Sequence, residues 1–185
     1  TVIDSRDGTV GRLFPGVSYR IEKLDGVEEG GKLLVKGPNI MKGYLNPEPN
    51  EAFLKLDGWY DTGDIVTVDE DRYITILGRA KRFAKISGEM VSLTAVEGAL
   101  AGAFPQHGED CQVAVVTRPD ADKGEQLIAA TNKAELELGE IRKAITAAGL
   151  PNLAAPREIK VLDEIPVLGS GKVNYPELSQ LVTEA

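Results

Sequence analysis

The chain has almost no cysteine or histidine: Cys111 and His107 are the single examples of each in 185 residues. One cysteine excludes an internal disulfide and any cysteine-rich zinc site, and it favours a reducing compartment. One histidine, with no serine elbow or nucleophilic cysteine at a recognisable spacing, leaves no triad to assemble, and His107 with Cys111 falls short of a metal site. No apolar run reaches the roughly 18 to 20 residues that span a bilayer. The opening TVIDSRDGTVGR does not have the pattern of a signal peptide. Basic residues are also scarce, 21 against 29 acids, for a net charge of -8. That balance argues against a nucleic acid or an anionic membrane surface as the main partner, though a localised basic site stays compatible with it. There is no internal repeat. The chain starts mid-pattern without a methionine, and the expectation is a fragment of a longer protein.

What is present is an ordinary globular composition, 42% hydrophobic and 27% charged, in a length that suits one generous domain or two small ones. The organising stretch is 58 to 97, read as two hairpins end to end. Residues 65 to 68 form a β-rich run, 69 to 72 a polar turn, and 73 to 77 a returning run. Pairing Val68 with Tyr73 sets Thr62, Gly63 and Asp64 opposite Leu77, Gly78 and Arg79, so an acid and a base meet at the open end. The second hairpin runs over 83 to 86 and 90 to 92, around Ser87-Gly88-Glu89.

Residues 1 to about 57 read as all-β, with glycine turns at 25 to 26 and 29 to 31, and with loops where prolines cluster at 47 and 49. After 79 to 82 the texture changes. Leu93, Val96, Leu100 and Phe104 give a helical stripe that Ser92 or Thr94 could cap. Residues 112 to 117 and 126 to 131 are strands of buried type, 138 to 148 is a helix stopped by Gly149, and 158 to 162 is a last strand. The expected fold class is α+β: a β-barrel subdomain over 1 to 78, then a small mobile α+β domain over 79 to 185, made of a β-hairpin plus a three-stranded sheet with helices.

Asp64 beside Thr62-Gly63 could accept hydrogen bonds from a vicinal diol such as a ribose, or be an ordinary hairpin-end aspartate. Arg79 offers fork-shaped donors to a ribose or phosphate oxygen, or a surface ion pair to Asp64. Lys172 in Gly-Ser-Gly-Lys does not make a nucleotide phosphate loop, because Pro166 takes the first glycine position and Val173 follows the lysine. It remains a lysine on a flexible loop, a mobile point charge for phosphate or carboxylate. Gly88 is first of all a turn residue. The acids at 69 to 71 are a solvated turn tip, and no metal ligands are expected.

Taken together, four stretches resemble motifs of the adenylate-forming superfamily of acyl-CoA synthetases, luciferases and peptide-synthetase adenylation domains. They are GGKLLVKGPNIMKGYL at 30 to 45, GWYDTGD at 58 to 64, residues 78 to 97, and residues 166 to 172. They occur in the family's order and cover nearly the whole chain. The resemblance implies nucleotide binding by Asp64, Arg79, Thr62 and Gly63, a hinge at Lys81, a catalytic Lys172 acting on the α-phosphate, and a pantetheine channel passing Gly88. It implies ATP with Mg2+, an acyl-AMP intermediate and a fatty acid.

Within the superfamily the chain most resembles bacterial acyl-acyl carrier protein synthetase. That likeness implies the phosphopantetheine arm of acyl carrier protein as acceptor. It further implies a 2-acylglycerophosphoethanolamine acyltransferase domain acting on lysophospholipid, at the cytoplasmic side of the inner membrane, in a parent whose fragment here is soluble and inactive alone. Acyl-CoA synthetases and adenylation domains are the chemical alternatives, and a non-catalytic carrier-binding module is the alternative of another class. Asp61, Met90 and Asn174-Tyr175 depart from the family pattern.

Overall fold

A computed structural model describes residues 5 to 27 and 29 to 184. The chain divides into two compact units, Thr1–Lys81 and Arg82–Ala185.

The first unit is a four-stranded antiparallel meander in the order β1-β2-β3-β4, made of Ser18–Glu22, Gly31–Lys36, Tyr60–Val68 and Ile74–Arg79. The edge of β4 is met by the segment that leads into β1: Val10 N–H donates to the Ile74 carbonyl and Ile74 N–H to that of Gly11, both at 2.9 Å. Leu33, Val35, Val66 and Ile74 form the buried cluster on one face. The β3–β4 register differs from the sequence reading. Val68 pairs with Ile74, not Tyr73, because Asp69 closes the turn by accepting the Tyr73 N–H at 2.9 Å. A bulge then leaves Leu77 unpaired, so that Ile65 faces Gly78 and Asp64 directly faces Arg79.

This unit is also not all-β. Helix α1, Pro47–Leu54, occupies the proline-rich stretch read as a loop. Proline in a first helical turn gives up no hydrogen bond, since the amides there have no intrahelical partner. Phe53 is its one buried residue, packed edge-on against Tyr44.

The second unit is a five-stranded sheet, β6-β5-β8-β7 with β9 alongside β8. Its strands are Phe83–Ile86, Glu89–Ser92, Val113–Asp120, Gly124–Thr131 and Glu158–Val161. The expected hairpin and three-stranded sheet are thus joined, through Ile86 beside Gly124. Strands β7 and β8 are buried on both faces, which explains their continuous apolar runs. Val115, Leu127 and Ala129 pack with Val96, Leu100, Ile141 and Ile145 of α2 (Leu93–Leu100) and α3 (Leu138–Ala147). Ala114, Val116, Ile128 and Ala130 pack with Leu178 and Val182 of α4, Tyr175–Glu184. Helices therefore cover both faces of an α+β layer.

Ser92 caps α2, its hydroxyl accepting the Ala95 N–H at 3.2 Å. The helix stops at Leu100, short of the predicted stripe, and Phe104 reaches the same core from the following loop. A capping box of Glu137 and Glu140 opens α3. Glu140, which also accepts from Gln106 and approaches His107 at 3.1 Å, has its carboxyl held down to about 2, chiefly by the Glu137 amide. Helix α4 lies in a part the sequence reading leaves unassigned. Among the described residues no helix is long and apolar enough to cross a membrane.

Candidate functional site

The first unit gathers Thr62, Gly63, Asp64 and Arg79 at the end of β3 and β4, as the hairpin reading expects, but by a different register. The Thr62 hydroxyl donates to the Leu33 carbonyl at 3.0 Å and accepts the Asp64 N–H at 3.1 Å, which ties the strand to β2. Gly63 N–H donates to Asp61 Oδ1 at 2.9 Å, while Asp61 Oδ2 meets Lys32 Nζ at 3.0 Å. Asp61 and Thr62 thereby fix the backbone, and Asp64 is the acid not used to hold it. Lys32 stays protonated well above its ordinary range, held first by Asp61 and then by Glu22.

Asp64 Oδ1 lies 3.0 Å from Arg79 Nε, and Arg79 Nη1 donates to the Thr62 carbonyl at 2.9 Å. Asp64 Oδ2 and Arg79 Nη2 are left without a protein partner among the described residues. The carboxylate is largely shielded, its side chain 15% exposed against 65% for the arginine. It borders an apolar hollow of about 290 Å³ whose wall includes Leu33, Ile74 and Ile76. A spare acceptor beside a spare donor is what two adjacent hydroxyls require.

The other predicted residues belong to the junction and to the second unit. Lys81 is the middle of a 3-10 turn, Ala80–Arg82, at the junction of the units. Gly88 is at the tip of the β5–β6 hairpin, where Ser87 and Gly88 both take positive φ (53° and 91°) and form a two-residue turn of the type that suits strand twist. Ser87 N–H donates to the Lys123 carbonyl at 2.8 Å, and the space around Gly88 is open.

Lys172 lies in a hairpin that is more ordered than the flexible loop expected. Val167 bridges Val173, Leu168 N–H donates to the Lys172 carbonyl at 2.7 Å, and Gly171 N–H donates to that of Leu168 at 2.8 Å. The Lys172 side chain is exposed, and its ammonium makes no ion pair among the described residues.

The sequence reading does not find a third group, in the second unit. Arg82 Nη2 lies 2.7 Å from Glu97 Oε2, off the line of a hydrogen bond, while Nη1 donates to the Val115 carbonyl at 3.0 Å. The Tyr175 hydroxyl donates to Glu97 Oε2 at 2.9 Å, and the Arg82 guanidinium stacks 3.7 Å from the Tyr175 ring. The available signal was position: Arg82 directly follows the junction and Tyr175 closely follows Lys172.

Among the described residues no group of three His, Cys, Asp or Glu side chains is placed to hold a metal.

No family model matches the chain. It is similar to an indoleacetate–CoA ligase of Aromatoleum aromaticum, 35% identical over 182 residues that make up 95% of this chain and 35% of the ligase. It is similar to the luciferin 4-monooxygenase of Photinus pyralis, 31% identical over 98% of this chain and 34% of that enzyme. Among solved structures, ATP-bound MatB of Rhodopseudomonas palustris superposes with a TM-score of 0.73 at 28% identity, over 98% of this chain and 37% of that one. The chain thus spans about a third of the length of the curated relatives it matches. These relatives and neighbours are adenylate-forming enzymes, and the neighbours include complexes with an acyl-adenylate and with ATP and magnesium. The α+β arrangement matches their C-terminal portion.

Proposed function

We propose that this chain is the C-terminal part of an AMP-forming acid–thiol ligase, with units corresponding to the end of the large domain (1 to 78) and a mobile domain (79 to 185) hinged near Lys81. The observation that carries the reading is the Asp64–Arg79 pair, which keeps one carboxylate oxygen and one guanidinium nitrogen for a nucleotide's ribose hydroxyls. In the first half-reaction a substrate carboxylate attacks the α-phosphorus of ATP, forming acyl-AMP and expelling pyrophosphate. Such a displacement needs positioning and positive charge more than covalent help from the protein. Lys172 supplies that charge, its ammonium being exposed and uncommitted. In the second half-reaction a thiol attacks the acyl carbon and AMP departs, with the acceptor's pantetheine arm passing the open hairpin tip at Gly88.

Coenzyme A as acceptor agrees with the naming of relatives as an indoleacetate–CoA ligase and an acyl-CoA synthetase, and a fatty acid is the acyl donor of this reading. The likeness of residues 78 to 93 and 169 to 172 to acyl-acyl carrier protein synthetases favours a second reading. There the acceptor is holo acyl carrier protein, and the parent also acylates a lysophospholipid at the inner membrane.

The test is ATP–pyrophosphate exchange by the intact enzyme, with and without Lys172→Ala. Exchange is expected to fall about 100- to 1,000-fold, while thioester formation from supplied acyl-AMP persists; undiminished exchange would remove Lys172 from the chemistry. Competition between coenzyme A and holo carrier protein for the acyl group decides the acceptor.

A further inference from the structure

Lys172 is three residues from Tyr175, and the chain between them is short of freedom. Asn174 N–H donates to the Pro166 carbonyl at 2.8 Å, closing the base of the hairpin that carries the lysine. The next residue, Tyr175, begins α4 and inserts its ring beneath the Arg82 guanidinium, with its hydroxyl on Glu97. Arg82 and Glu97 are themselves fixed to one strand. Val115 gives its N–H to Glu97 Oε1 at 2.7 Å and accepts from Arg82 Nη1 through its carbonyl. The side chains of Arg82 and Glu97 are only 15% and 18% exposed, so this pair escapes the solvent screening that makes most surface ion pairs worth little. Burial and the neighbouring Glu97 push the Tyr175 phenol up to about 12, which keeps it a neutral donor.

We propose that Tyr175 is a positioning residue for Lys172, anchoring the base of the lysine hairpin to the junction-proximal end of the second unit through Glu97 and Arg82. The inference rests on the adenylation reading for the role of the lysine, but not for the anchor itself. A competing account is that the three side chains only satisfy the backbone of β7. The two accounts separate at the Tyr175 hydroxyl. Removing it leaves both Val115 contacts and the ring stacked on Arg82 in place and takes away only the hydrogen bond that ties the base of the hairpin to Glu97.

Two measurements on the intact enzyme carrying Tyr175→Phe test this. In the first, amide hydrogen exchange at Leu168 and Gly171 is expected to quicken about tenfold while the β7–β8 amides keep their protection. Unchanged exchange at the two hairpin amides, or uniform quickening through the unit, would overturn the anchor. In the second, kcat for ATP–pyrophosphate exchange is expected to fall about tenfold with KM for ATP nearly constant, and thioester formation from supplied acyl-AMP to stay near wild type. Equal loss of both half-reactions would overturn the positioning role. If wild-type enzyme shows no exchange, or Lys172→Ala retains it, the adenylation reading fails, and the amide measurement still decides the anchor.

Discussion

At Asp64 the geometry divides one carboxylate between two tasks. Oδ1 holds Arg79 in place, and Oδ2, without a protein partner among the described residues, is the oxygen that the proposed function assigns to the ribose. Replacing the residue by alanine removes the acceptor and releases the arginine, but it disturbs no buried network. The expected result for Asp64→Ala is a rise in KM for ATP of about 10- to 100-fold, the range for hydrogen bonds that involve a charged group, with the melting temperature almost unchanged. Steady-state kinetics at varied ATP and a thermal melt check it. The acid and the arginine could be read from the sequence because strand alternation and the polar turn bring the two strand ends together. Their direct pairing could not, since it depends on Leu77 dropping out of the ladder, and nothing in Ile-Thr-Ile-Leu-Gly-Arg marks which residue bulges. Tyr175 was equally hidden: its partners are Arg82 and Glu97, far away in sequence, and its own neighbourhood shows only a tyrosine before a proline.

At the scale of elements, legibility followed burial. Strands β7 and β8 and helices α2 and α3 announce themselves because their apolar residues face a common core, each fully buried leucine or isoleucine contributing roughly 1.5 to 3 kcal/mol. Helix α1 buries one residue and opens on proline, so its pattern is faint. Helix α4 has Leu178 and Val182 one turn apart, a signal too short to separate from a strand or loop without the sheet it covers. The turn before β2 shows the opposite case, a glycine whose need is plain only in three dimensions. Gly30 has φ +82°, and a Cβ there would land on the Val66 carbonyl oxygen of the neighbouring strand. Gly30→Ala is expected to destabilise the first unit by at least about 2 kcal/mol, combining left-handed strain with a backbone clash. Urea unfolding should show the early loss of a transition assigned to that unit and an unchanged one for the second.

Over the whole molecule, the junction at residues 80 to 82 is the point where a change in backbone freedom can be told apart from a change in either site. The Lys81 side chain is exposed and its neighbour Arg82 is locked to Glu97. Proline at 81 fixes φ near the value of one conformer and restrains the residue before it. Lys81→Pro is expected to leave pyrophosphate exchange within about threefold of wild type and to slow thioester formation about tenfold or more, if the second unit turns between half-reactions. Equal effects on the two would count against a hinge there.

The contacts that Arg82 and Glu97 make with Val115 also bear on how copies of the molecule behave beside one another. Strand β7 ends its sheet, and an edge of this kind offers its amides and carbonyls to any extended chain that drifts alongside. Here Val115 has both groups occupied by side chains, and Pro119, further along the same register, has no amide to offer. At these two positions the margin that a fibril or a swapped partner would template on is already stoppered from within.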